Sequence, residues 1–230
     1  MTNIINSDIF ESHCEMIVLP ISTAATLSFS FQSGLEKNEI EIAFRKNSYQ
    51  LGDIEIHKIQ NHKYIKFIVL ACSVKGQTSN YLSISVLVNK IANATKRLKS
   101  IKSIGMPLLG TGAGRLSYHK SLTTLFESFY KISHQNVDLI FCIPDNDTFI
   151  DLHRHFFTSR GVSILRIKQL IFINQKTKSK RLDLGNCGIE KLEVLPELFD
   201  CTHLETLILS NEWGEFVNGH WVRKKVKIKE

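Results

Sequence analysis

The chain has 230 residues, of which 43% are hydrophobic and 22% charged, with only 12 Gly and 4 Pro. These proportions exclude disorder and a collagen-like repeat, and no apolar run reaches the roughly 18 residues that a membrane span needs. At about 100–200 residues per domain, the length holds one good-sized domain, or one domain and a fragment. The first residues, MTNIINSDIFESHCE, are polar and carry acids, unlike a secretory signal or transit peptide, so a cytoplasmic location is expected. The five cysteines are scattered, with no CxxC or Cys/His ligand spacing. They read as reduced structural thiols, with neither a disulfide framework nor a metal site. The net charge of +7 is unevenly placed: residues 160–181 hold seven Lys/Arg and no acid, and Arg223, Lys224, Lys225, Lys227 and Lys229 crowd the last ten residues. Such runs suit nucleic acid or anionic lipid, but no stacking aromatics interleave them. A solvated connector and tail is the expected reading, with nucleic acid not favoured as a partner and no membrane contact.

Taken in chain order, a short strand precedes Asp8, and MIVLPI (16–21) and YIKFIVLACS (64–73) have the composition of buried strands. Ser83–Leu98 places Ile84, Leu87, Val88, Ile91 and Ala94 on one helical face. SIGMPLL (103–109) is the next strand, closed by the glycine cluster GTGAG. Ser117–Ile132 carries a stripe of Leu122, Leu125, Phe126 and Phe129. VDLIFCI (137–143) is a further strand, and Asp147–Phe157 starts a short helix with an acidic first turn. Strands and helices alternating at this length indicate an α/β layered domain over residues 1–160.

The segment 161–181 is expected to be a basic connecting segment. Beyond it, over 182–230, Leu182, Leu184, Cys187 and Ile189 form an L-x-L-x-x-C-x-I pattern. Leu207 and Leu209 repeat its start 25 residues later. This part resembles bacterial leucine-rich-repeat proteins and predicts two parallel strands; less than two turns are present, and about three are needed to bury a solenoid core. It offers a protein partner a surface.

The sharpest chemical signal is MPLLGTGAGR (106–115), directly after a strand and directly before a helix. Gly110, Gly112 and Gly114 let the backbone turn tightly and approach a ligand without Cβ clashes. Successive N–H groups there, ahead of a helix N-terminus, form an anion pocket, to which Thr111 adds a hydroxyl and Arg115 a charge. The loop is neither a Walker A element nor a dinucleotide fingerprint, since it lacks GK[ST] and sits late in the domain.

Together with Asp8-Ile9, this loop resembles the macro domain, the ADP-ribose-binding module, over residues 1–160. The resemblance implies a three-layer α/β/α fold with a mixed central sheet. It implies that Asp8 accepts from the adenine amino group, that Ile9 contributes its backbone, and that Gly110, Thr111, Gly112, Ala113, Gly114 and Arg115 hold the diphosphate. It also places Asp145, Asn146 and Phe149 beside the adenine, with Phe149 as a stacking partner. The family's hydrolytic Val-Asn-Ala-Ala-Asn element is replaced here by Val18-Leu19-Pro20-Ile21-Ser22, with no glycine run after it. Ser22 and Thr23 remain as hydroxyls for a ribose, but a hydroxyl without a partner is a poor general base. No catalytic residue, metal ligand or cofactor is assigned. His119 reads as a surface histidine, and His153 and His155, two apart, fall on different helix faces. The expectation is therefore a binding module for ADP-ribose or a related NAD-derived nucleotide, acting as a sensor or reader in bacterial signalling or defence. The alternatives are an ADP-ribosyl hydrolase with unfamiliar residues and a protein-interaction scaffold built on the leucine-rich segment.

Overall fold

A computed structural model of the chain describes residues 3–98, 100–132, 137–158, 162–185, 187–209, 212–217 and 220–225. The chain forms two compact units, Met1–His153 and Arg154–Glu230.

The first unit is built on a six-stranded sheet. In chain order its strands are β1 (Asn3–Ile5), β2 (Met16–Ser22), β3 (Ile54–Lys58), β4 (Phe67–Val74), β5 (Ser103–Met106) and β6 (Asp138–Cys142). In space they run β1-β6-β5-β2-β4-β3, all parallel except the edge strand β3, which pairs antiparallel with β4. β2 and β4 are apolar without interruption because both of their faces are covered, as parallel strands require. Ile17, Leu19, Ile68 and Leu70 are fully buried in one cluster with Ile9, Phe10 and Leu35. Leu35 comes from helix α1 (Phe29–Lys37), and Ile9 and Phe10 from a 3₁₀ turn over Ile9–Glu11.

Helices α2 (Tyr81–Arg97) and α3 (Tyr118–Ile132) pack on one another, and α2 packs on β4. Of the apolar stripes expected for them, Ala94 is half-buried, while Ile84, Leu87, Val88 and Ile91 on one and Leu122, Leu125, Phe126 and Phe129 on the other are buried completely. Each such side chain contributes about 1.5–3 kcal/mol. α2 starts two residues earlier than the sequence pattern indicates, because Asn80 accepts a capping bond from the Ser83 amide at 2.8 Å. α4 (Asn146–Phe156) follows β6, and the division between units falls inside it, short of the boundary expected at 160.

The second unit departs most from expectation. The stretch 161–181 is not a solvated connector: it carries helix α5 (Ile164–Thr177), whose Ile167 and Ile171 are buried against Leu182, Leu184, Leu195 and Leu198. Of the seven basic residues, Arg166, Lys168 and Lys176 occupy other positions of that helix, Lys178, Lys180 and Arg181 follow it, and Arg160 lies outside the described residues. The Asn174 side chain holds the end of α5 by donating to the Ser179 and Arg181 carbonyls, both at 3.1 Å. β7 (Arg181–Asp183) and β8 (Thr206–Ile208) pair in parallel with Leu182 opposite Leu207, which is the 25-residue offset of the sequence. Leu209 lies just past β8 and is exposed.

The basic tail also carries regular structure. β9 (Glu212–Val217) and β10 (His220–Lys225) form an antiparallel hairpin that includes Arg223, Lys224 and Lys225. Lys227 and Lys229 lie outside the described residues. Among the described residues, no helix is long and apolar enough to cross a membrane.

Candidate functional site

A cavity of about 470 Å³ opens at the carboxyl ends of β2, β4, β5 and β6. Its position follows from topology. β2 pairs with β5 only through Met16 and Ile17, so the two strands diverge above that point. Ligands of open α/β sheets settle in such crevices. Pro20, which has no N–H to offer, falls where β2 has already lost its β5 partner, so the missing donor leaves no ladder bond unmade.

The glycine loop forms one side of the cavity through Gly110, Thr111, Gly112 and Ala113. Its three glycines serve different ends. Gly110 has φ +80°, and a Cβ there would stand 2.8 Å from both Leu116 Cδ1 and Ser79 Oγ. At Gly114 a Cβ would meet the Gly110 carbonyl oxygen at 2.5 Å. These two glycines shape the loop. At Gly112 a Cβ would meet nothing within 4 Å, because that position faces open space. The loop is tied by Leu116 N donating to Gly110 O and Arg115 N to Gly112 O, both at 3.0 Å. Thr111 Oγ1 donates to the Leu108 carbonyl at 2.8 Å, so its hydroxyl hydrogen is used within the loop. Among the described residues, the amides of Gly112 and Ala113 donate to no other protein group.

Six of the expected residues share the cavity: Ser22, Asp145 and the four loop residues just named. The other seven do not line it. Arg115 adopts a left-handed φ of 57° and its guanidinium donates to Gln77 Oε1 at 2.9 Å, so the charge expected at the diphosphate is held elsewhere. Gly114 closes the loop against the Gly110 carbonyl and Ser79. Phe149 places its ring 5.8 Å from that of His153, and Thr148, not Phe149, lines the cavity. Asn146 is exposed in the first turn of α4. Thr23 is held by its backbone, its N–H donating to Val74 O and its carbonyl accepting from Tyr49 N, both at 2.9 Å. Asp8 is exposed and caps the 3₁₀ turn by accepting from Phe10 N at 2.9 Å, while Ile9 is buried in the core.

The side chains of Ser22 and Asp145 are committed within the protein. Ser22 Oγ accepts from the amides of Ala24 and Thr26 at 3.2 and 3.3 Å and shares a 2.6 Å bond with Thr26 Oγ1. That fills the three places a hydroxyl has. Asp145 Oδ2 accepts from Thr148 N at 2.9 Å, which caps α4, and the Thr148 hydroxyl together with that amide holds the carboxyl below the ordinary range. Cys142 reaches the cavity too, but burial pushes its thiol up to about 12, so it offers no thiolate. The side chains Leu27, Phe31 and Ser73 also line the cavity and carry no sequence signature. Leu27 and Phe31 pack on the β2–β4 core, and their segment lacks the apolar periodicity that would have exposed them.

No protein-family model matches the chain, and a search of curated proteins finds no match. Among solved structures, a Trypanosoma brucei macrodomain in complex with ADP matches 64% of this chain and 65% of its own, at 11% identity and a TM-score of 0.51. Crystal form 1 of the Trypanosoma brucei macrodomain matches 66% of this chain and 65% of its own, again at 11% identity and 0.51. The macrodomain of Thermus aquaticus DarG is similar over 63% of this chain and 99% of its own, at 16% identity and a TM-score of 0.49. The chain carries a macro domain fold, a mixed α/β fold around a central mixed sheet.

Proposed function

We propose that the first unit is a binding module for ADP-ribose or a related NAD-derived nucleotide, serving as a sensor or reader in bacterial signalling or defence. The observation that carries this reading is the pair of unengaged amides at Gly112 and Ala113, set beside open space in a nucleotide-sized cavity. Backbone donors aimed at one point are what a phosphoryl group needs, and no side-chain cation is required there. A macrodomain of the same fold was solved with ADP. Asp8 and the Ile9 backbone would meet the adenine, and Asp145 would lie beside it.

Binding without hydrolysis is the favoured mode. A saturated Ser22 hydroxyl has no capacity left to orient an attacking water. The second unit is proposed as a leucine-rich-repeat fragment, supported by the parallel register of Leu182 with Leu207. Exposed Phe199, Val194, Leu207 and Leu209 there favour a second reading of that unit, as a surface for a protein partner. Five free thiols suit a reducing, cytoplasmic setting.

The test is calorimetric titration of the chain against ADP-ribose, cyclic ADP-ribose, NAD and ADP, with chromatography of the same samples and of a mono-ADP-ribosylated protein substrate. Binding of at least one nucleotide with no released product is expected. Heat from none of them would remove the binding reading, and turnover would move the hydrolase reading ahead of it.

A further inference from the structure

β4 does not pair evenly with β2. Ile21 stands opposite Cys72 and Ser22 opposite Val74, so Ser73 is the extra residue of a bulge. A bulge bends its strand and re-aims one side chain, and bulges gather beside functional sites. Ser73 is fully buried and lies on the cavity surface, and its Oγ has no hydrogen-bond partner among the described residues. A buried hydroxyl without a partner opposes folding, so one kept in this state at a cavity surface asks for a group that fills it. The backbone around it is already engaged: Ser73 O accepts from Ser79 Oγ at 2.6 Å, and Val74 O from Thr23 N at 2.9 Å. Ser79 in turn is the side chain against which Gly110 and Gly114 close. Ser73 therefore stands on the glycine-loop side of the cavity, where the Gly112 and Ala113 amides are also unengaged.

We infer that Ser73 is a ligand-binding residue of this cavity, its hydroxyl donating to a phosphoryl oxygen held on the glycine loop. The inference rests on the nucleotide reading above and adds to it a residue from a different strand. With Gly112 and Ala113 it makes three neutral donors, two from backbone and one from a side chain, converging on an anion without a Lys or Arg.

The experiment titrates the full chain, Ser73→Ala and Ser73→Cys with ADP and ADP-ribose, and measures competition by inorganic pyrophosphate and the thermal midpoint of each variant. Ser73→Ala should weaken both nucleotides and pyrophosphate about tenfold, the loss of one good hydrogen bond. Its thermal midpoint should equal or exceed the parent's, since an unpaired buried hydroxyl is removed. Ser73→Cys keeps the shape with a poorer donor and should lose affinity in the same direction. Affinity within twofold of the parent in both variants would overturn the inference while leaving the nucleotide reading intact. So would a fall of several degrees in the Ser73→Ala midpoint, which would give the hydroxyl a structural partner. Weakened nucleotides with unchanged pyrophosphate would overturn the phosphoryl assignment. A parent chain that binds neither nucleotide would take the nucleotide reading and this inference down together.

Discussion

Gly34 of α1 lies directly against the ring of Phe10: a Cβ on Gly34 would stand 2.5 Å from Phe10 Cδ2. The ring is itself buried. This contact docks the Asp8–Glu11 turn onto α1, and with it the exposed carboxylate of Asp8. Two effects compete in Gly34→Ala. Alanine improves helix propensity by about 1 kcal/mol, whereas overpacking a filled site costs about 1–3 kcal/mol. The collision should win, lowering stability by about 1 kcal/mol in urea denaturation. In a Phe10→Ala background the ring is gone, and the same Gly34→Ala change should become stabilising by about 1 kcal/mol. Equal effects in both backgrounds would mean that the ring does not set the glycine requirement.

Glu55 is a buried carboxylate on the edge strand β3. It accepts from the Tyr49 hydroxyl and from the Arg45 amide, and His57 Nε2 lies 2.6 Å from its Oε1. Burial alone would raise its pKa, but the bonds from Tyr49 and Arg45 outweigh burial, and the carboxyl lies below its ordinary value. A folded pKa below the unfolded one contributes stability above about pH 4.3, and that contribution is lost as pH falls through the folded value. Glu55→Gln should cost about 2 kcal/mol at pH 7, through loss of charge-assisted bonds. It should also flatten the acid limb of stability below about pH 4.3. An unchanged acid limb in chemical denaturation at stepped pH would show that other carboxylates govern it. Tyr49, pushed up to about 12 by burial and by Glu55, gives the opposite sign. Its contribution is full below about pH 10 and disappears as pH rises through the folded value.

The parts of this chain that could be read from sequence are those in which one physical effect dominates. β2 and β4 are buried on both faces, so apolar runs mark them. α2 and α3 each bury one apolar stripe, complete in α3 and short of Ala94 in α2, so a 3.6-residue period marks them. α1 escaped because it buries only Leu35 and leaves Phe29 84% exposed, which erases the period. α5 escaped because Arg166 and Lys168 set charge between the isoleucines that do the packing, and Lys176 adds to it in the last turn. The site divided in the same way. Glycines are visible in sequence, but the left-handed turn at Arg115 that sends its guanidinium to Gln77 is not. Nor does any residue type announce the bulge at Ser73, since a bulge is a property of register between two strands.

Ile171 tests whether α5 is a packed element. It is fully buried in the second unit's core with Leu182 and Leu184. Truncation to alanine should cost about 2–5 kcal/mol, read as a lowered unfolding midpoint of the second unit. A change within ±0.5 kcal/mol, as at a surface site, would return the segment to the solvated connector that its charge first indicated.

The glycine loop allows the most discriminating prediction, because its glycines answer to different demands. A side chain at Gly114 would collide with the Gly110 carbonyl at 2.5 Å and with Ser79 Cβ at 2.6 Å. Gly114→Ala should therefore damage loop shape and stability together, by about 1–3 kcal/mol. At Gly112 the space is open and no positive φ is demanded, so Gly112→Ala should leave the thermal midpoint unchanged. Gly112→Glu should fold as well, judged by circular dichroism, because the loop stands at the rim of the sheet and carries little of the core. Its effect falls on the ligand: the side chain enters the cavity and sets a carboxylate where an anion belongs. With two charge-assisted hydrogen bonds lost at about 1.5–3 kcal/mol each, affinity for ADP-ribose should fall at least about a hundredfold. Asp8→Ala should cost less, about one hydrogen bond, and should weaken ADP more than ribose 5-phosphate. A folded Gly112→Glu variant that binds its best nucleotide as tightly as the parent would place the anion away from Gly112 and Ala113, leaving the exposed apolar side chains of the second unit as the stronger functional candidate.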